Sequence, residues 1–121
     1  MTAEDKLQVA CMTYMKLQYP DVLAVHVPNG GSRNVIEATK LKKMGTVKGF
    51  PDITIFKQKP SEDGKVYSGL VTELKVRYAK GKNYPSKEQK AVLAKLKENG
   101  WQTHIIYDFD TFQETVDKYL R

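Results

Sequence analysis

The sequence predicts a mixed α/β domain, a central mixed β-sheet flanked by helices in the order α-β-α-β-β-α-β-α. Three observations carry that prediction. Four stretches place apolar residues at helical spacing, while four shorter runs are rich in β-branched, aromatic and aliphatic residues. Cap and turn signals punctuate them, among them Thr2, Ser61-Glu62-Asp63-Gly64, Ser86 and Asn99-Gly100. No repeat, linker or low-complexity segment interrupts the series, so residues 1–121 read as a single domain.

Thr2 is the expected N-cap of the first helix, and Glu4 and Asp5 complement the positive end of its dipole. Leu7, Ala10, Cys11, Tyr14 and Leu17 recur at helical spacing until Tyr19-Pro20-Asp21 ends the run. Val22-Leu23-Ala24-Val25-His26-Val27 is a short, nearly continuous apolar strand, and Pro28-Asn29-Gly30-Gly31-Ser32 turns the chain. Residues 34–44 carry a helical pattern through Ile36 (or Val35), Leu41 and Met44, with Gly45 at the C′ position. Pro51 is tolerated at a strand start, so Asp52-Ile53-Thr54-Ile55-Phe56 opens a strand. The turn at residues 61–64 joins it to a second strand over residues 66–75 as an antiparallel hairpin.

Residues 78–84 read as a basic loop. Ser86-Lys87-Glu88-Gln89 is a capping box, and Ala91, Val92, Leu93 and Leu96 carry that helix to Asn99-Gly100. Residues 101–107 form the last strand. Asp110-Thr111-Phe112-Gln113 caps a final helix that turns Phe112, Val116, Tyr119 and Leu120 inward.

Composition narrows the function classes. Hydrophobic content of 40% with 28% charged residues fits a folded soluble domain rather than a disordered one. No apolar run approaches the roughly 20 residues that span a bilayer, and no apolar signal segment opens the chain, so no membrane association is expected. The single cysteine, Cys11, allows no intramolecular disulfide and no zinc cluster, which fits a reducing, cytoplasmic setting. Glycine-rich phosphate loops and the G-x-S-x-G elbow are absent, so a nucleotide cofactor is not expected.

Twenty Lys and Arg against 14 Asp and Glu give a formal charge of +6, which favours a polyanionic partner. Arg33, Lys40, Lys42, Lys43 and Lys48 precede the Asp52 strand, and Arg77, Lys80, Lys82, Lys87 and Lys90 follow the second strand. Ordinary solvated lysines would give the same excess; it is the flanking of one acidic segment that favours nucleic acid.

That segment carries the chemistry. Glu73 and Lys75 stand two residues apart on a strand, so both side chains leave on one face while Leu74 points to the other. Asp52 opens the adjacent strand. Asp52 alone reads as a turn residue, and Glu73 with Lys75 alone as a surface ion pair of little worth. Together, on a strand covered by helices on both faces, they would be costly to bury unless they bind something. Hard divalent cations take carboxylate and carbonyl oxygens, here Asp52, Glu73 and the backbone carbonyl of Leu74. Lys75 beside such an ion can orient the attacking water and offset transition-state charge. Glu4, on the stripe of Leu7, Gln8 and Cys11, is either a first-turn dipole residue or a further site acid. Gln89 is either the capping-box residue or an amide that reaches the site or a phosphate. His26 and His104, in apolar strands, read as satisfied structural residues.

These elements resemble the PD-(D/E)XK nuclease superfamily, and more narrowly the small stand-alone VRR-NUC domains of phages and bacteria. The resemblance rests on Glu4, His26-Val27-Pro28-Asn29-Gly30-Gly31, Gly45, Gly49-Phe50-Pro51-Asp52, Glu73-Leu74-Lys75, and Ser86-x-x-Gln89 ahead of Asn99-Gly100-Trp101, and it covers nearly the whole chain. It implies a restriction-endonuclease-like core and a Mg²⁺- or Mn²⁺-dependent DNA endonuclease. Asp52 and Glu73 would be metal ligands, Lys75 the residue that positions the water, and Glu4 and Gln89 auxiliary. The wider superfamily often continues Gln-x-x-x-Tyr; here Leu93 holds the tyrosine position, so only Gln89 carries over. It further implies a homodimer acting on branched DNA such as four-way (Holliday) junctions, in the host cell cytoplasm if the chain is phage-encoded.

The expected phosphate contacts are Arg77, Lys80, Lys82, Arg33 and Lys48, and Val22, Leu23, Phe50, Trp101 and Tyr119 are apolar candidates for a dimer interface. The rival readings are a non-catalytic nucleic-acid-binding module on the same fold and a metabolic α/β enzyme that takes a small phosphorylated substrate.

Overall fold

Thr2 starts α1 (Ala3–Gln18) through a reciprocal capping box: its side chain accepts the Asp5 N–H at 3.1 Å and Asp5 accepts the Thr2 N–H at 2.9 Å. The computed structural model describes residues 1–28, 34–77 and 84–121. After α1 come β1 (Leu23–His26), α2 (Val35–Lys43), β2 (Ile53–Phe56), β3 (Lys59–Pro60), β4 (Val66–Tyr67) and β5 (Gly69–Leu74). The chain closes with α3 (Lys87–Glu98), β6 (Trp101–Ile106) and α4 (Phe109–Leu120). All eight expected elements are present in order, with the short β3–β4 ribbon added.

The main sheet has the order β1-β2-β5-β6. The first three strands run antiparallel, and β6 joins β5 in parallel through the α3 crossover. The register sets Ile53 opposite Thr72 and Ile55 opposite Leu70. Ile53, Ile55, Leu70, Leu74 and Ile106 therefore share one face, where they pack with Cys11 and Met15 of α1 and Phe112, Val116 and Tyr119 of α4. Tyr14 and Tyr19 both donate to Asp117 Oδ1, at 2.7 and 2.5 Å, and tie α1 to α4. Val71 and Glu73 point to the opposite face, from which Gln89 of α3 reaches Glu73.

Four expectations are corrected. The strand expected over residues 66–75 breaks at Ser68, whose N–H donates to Gly100 O at 2.8 Å, so Val66 and Tyr67 pair with β3 instead. Lys75 lies just past β5, but its N–H still donates to Ile106 O at 2.8 Å and keeps the extended path. Asp108, not Asp110, caps α4: its side chain accepts the Thr111 N–H at 2.7 Å, and Asp110 falls in the first turn. The helical pattern of α2 is real but buries none of its residues, because only Leu41 turns toward the body of the protein.

Candidate active site

Asp52 is anchored through its backbone before its side chain does anything. Its carbonyl accepts the Val27 N–H at 3.1 Å and the His26 Nδ1–H at 2.8 Å, so edge strand β1 holds the residue from outside the sheet. Its Oδ2 accepts the Leu74 N–H at 2.7 Å, which pulls the carboxylate across to β5. Continuing the β2–β5 register by one residue sets Asp52 opposite Glu73, with both side chains on the face away from α1 and α4.

Glu73 is 2% exposed. Its Oε1 accepts from Gln89 Nε2 at 2.8 Å and lies 4.0 Å from Lys75 Nζ, while its Oε2 is buried with no hydrogen-bond partner. The Glu73 carboxyl is raised from 4.5 to about 9, first by burial and then by the charge of Asp52 and a hydrogen bond with it, with Lys75 acting against them. Glu4 is raised as well, first by burial and then by Asp52, with Lys75 opposing. The first turn of α1 therefore brings Glu4 into the electrostatic range of Asp52 and Lys75. Asp52, Glu73, Lys75 and Gln89 thus converge on one end of the β2–β5 pair, with Glu4 in range of their charges.

The donor set fits a hard divalent cation. Two carboxylates crowd together in a low-dielectric setting, near enough that a hydrogen bond between them helps to raise the Glu73 carboxyl, and no protein donor reaches the buried Glu73 Oε2. Among the described residues no group of three or more His, Cys, Asp or Glu stands close enough to hold a metal ion. A cavity of about 730 Å³ between β3, β4, β6 and α4 includes none of these five residues.

A solved structure described as a VRR_NUC domain protein matches this chain with a TM-score of 0.75, covering 99% of this chain and 89% of that one at 24% sequence identity. The chain has the VRR_NUC fold. No protein-family profile matches it, and no curated protein matches it in sequence.

Within the VRR_NUC fold, three supporting residues stand outside the expected catalytic set. His26, anticipated only as a structural residue, donates to the carbonyl of Asp52. Gly49 sits at φ +86°, and a Cβ there would meet the Glu88 carbonyl carbon at 2.7 Å and the Gln89 nitrogen at 2.8 Å. The segment leading to Asp52 therefore packs directly on the first turn of α3, the turn that carries Gln89. Gln8, one turn after Glu4, buries both atoms of its amide without a partner; the i, i+4 spacing is its only signal in the sequence.

Among the basic residues, Lys48 pairs with Glu88 at 3.8 Å and is highly exposed, and the Arg77 guanidinium lies 4.8 Å above the Tyr107 ring. Arg33, Lys80 and Lys82 lie outside the described residues, as does the Asn29-Gly30-Gly31 turn. His104 pairs with Gln102 through Nε2 at 2.7 Å on the core-facing side of β6, away from the site.

Proposed function

We propose that this domain is a Mg²⁺- or Mn²⁺-dependent DNA endonuclease that works as a homodimer and prefers branched DNA such as four-way junctions. The observation that carries the reading is Glu73: a buried acid crowded against Asp52 and beside Lys75, with one oxygen held by Gln89 and the other reached by no protein donor. Burying such a group for stability alone would be costly. Asp52, Glu73 and the Leu74 carbonyl would hold the ion, which supplies Lewis-acid stabilisation of charge on the scissile phosphate. Lys75, beside Glu73, orients the attacking water and offsets the growing negative charge. Gln89 fixes the Glu73 carboxyl so that Oε2 faces the site, and Glu4 is an auxiliary acid next to Asp52.

The dimer draws support from an apolar pair on the sheet. Leu23 and Phe56 stand opposite each other on β1 and β2, 62% and 50% exposed, with Phe56 edge-on to Trp101 at 5.8 Å between centroids. Of the five apolar candidates for an interface, Tyr119 belongs to the core and Val22, Phe50 and Trp101 are half-buried, which leaves Leu23 as the exposed one. A two-fold pair repeats the single site, as two opposed cuts require. Among the described residues no helix is long and apolar enough to cross a membrane.

The test is cleavage of single-stranded, duplex, flap and four-way-junction DNA with Mg²⁺ or Mn²⁺, against a chelator control. Metal-dependent cutting that is fastest on the junction is expected. DNA binding without cutting would instead favour the non-catalytic module, a reading that draws on Asp52 Oδ2 and Glu73 Oε1 both being engaged by protein donors.

A further inference from the structure

Helix α2 is unusual in this fold because its apolar residues face outward. Val35 and Ile36 are 80% and 83% exposed and Met44 is 71% exposed. With Thr39, Lys40 and Lys43 they line one continuous face of the helix and its C-cap. The opposite side is the attached one: Leu41 joins Val27, Val47 and Phe50 in a shared apolar groove, and Phe50-Pro51-Asp52 leads straight into the candidate active site.

We infer that the outward face of α2 is a DNA-docking surface, its aliphatic side chains meeting unstacked bases at a branch point and its lysines the adjoining phosphates. The inference deepens the nuclease reading proposed above and takes its DNA partner from it. Charge selects this occupant. Lys40 and Lys43 lie in the stripe, Lys42 lies beside it on the same helix, and Glu37 is the one acid on the helix. Two-fold pairing of this helix with a second copy would bring the stripe onto itself and set lysine against lysine. A polyanion whose apolar base faces are exposed between phosphates satisfies both halves of the stripe. Branched DNA has such faces at its junction, where stacking is interrupted; continuous duplex lacks them.

The test measures binding without turnover, in chelator, on a four-way junction carrying 2-aminopurine at the branch point and on a linear duplex of matched sequence. Wild-type protein should raise the 2-aminopurine fluorescence. Replacing Ile36→Ser and Met44→Ser together, both on exposed positions, should abolish that rise and weaken junction binding about tenfold or more. Duplex affinity and the salt dependence should stay the same. Replacing Lys40→Ala with Lys43→Ala should lower the salt slope by about 2 on both DNAs.

Unchanged junction affinity and fluorescence in the serine variant would overturn the inference, as would a wild-type protein that binds neither DNA. A serine variant whose light-scattering mass falls to half that of wild type would assign the stripe to a second copy instead. Because no cleavage is read, failure of the catalytic assignment leaves this result intact, and failure here leaves the chemistry at Asp52 and Glu73 untouched.

Discussion

The Gln89 amide is shared between a helix and a buried acid. Its Oε1 accepts the Ser86 N–H at 2.8 Å, closing the capping box of α3, and its Nε2 donates to Glu73 Oε1 at 2.8 Å. The two roles that the sequence offers as alternatives are one arrangement, because a capping residue has a fixed orientation and this cap points at β5. Gln89→Ala should cost about 1 kcal/mol from the lost cap and cut cleavage at least tenfold through a freed Glu73. Gln89→Glu keeps an acceptor for Ser86 but sets a carboxylate against Glu73, so it should spare the cap and still impair cleavage. Melting curves beside single-turnover rates separate the two.

Glu73→Gln should abolish cleavage yet stabilise the metal-free protein above neutral pH. The folded carboxyl is raised from 4.5 to about 9, so its favourable contribution is complete below 4.5 and is lost as pH climbs toward 9. Gln has no proton to lose. The advantage of the variant should grow across that window, to at most about 4 kcal/mol at pH 7.5. Chemical denaturation at pH 5 and pH 8 in chelator would show it, and Mn²⁺ should stabilise the wild type alone. Equal stability of the two proteins at both pH values would contradict the raised carboxyl.

Lys75→Ala should lose cleavage by a factor on the order of 10² to 10⁴ and still bind Mn²⁺ by calorimetry, since an ammonium is no ligand. Asp52→Ala should lose both. A folded Lys75→Ala protein that no longer binds the ion would remove the water-positioning role.

Gly49→Ala should destabilise the domain by roughly 1–3 kcal/mol, because it combines an unfavourable positive φ with contacts under 3 Å to the backbone of α3. The displaced first turn carries Gln89, so cleavage should fall more than melting alone explains. Activity assayed well below the melting temperature is the deciding measurement.

Leu23→Glu with Phe56→Lys should leave the fold intact, since both side chains are exposed and the new pair is opposite in charge, and should yield a monomer by light scattering. The pair should still nick junction DNA but no longer make two coupled cuts. A variant of unchanged mass would move the interface elsewhere.

Much of this site is legible from periodicity. Alternation along two strands joined by a turn is enough to expect Asp52, Glu73 and Lys75 on one face, and the β2–β5 register, continued by one residue, sets Asp52 opposite Glu73. Less legible are features decided by distant backbone. The Ser68-Gly69 pair is the local sign of a break in residues 66–75, but its partner, the Gly100 carbonyl, is set by distant backbone. The His26 bond to Asp52 depends on β1 pairing with β2, and a ring in an apolar run carries no mark of its acceptor. Asp108 and Asp110 are both acids near a helix start, and only the chain's approach from β6 selects the first as cap. Periodicity identifies α2 as amphipathic but is silent on whether its apolar side meets protein or solvent.

Strand β1 is four residues long, lies at the sheet margin, and its last residue His26 together with the following Val27 supplies both donors to the Asp52 carbonyl. Marginal strands open in sub-global fluctuations at lower free energy than the interior strands they border. The acid at the head of the buried β2 is thus fastened by one of the less protected segments of the sheet. Catalytic order should accordingly be lost on warming before the core of β2 and β5 exchanges its amide hydrogens, so that the heat limit on activity is set by fraying at an edge rather than by global unfolding.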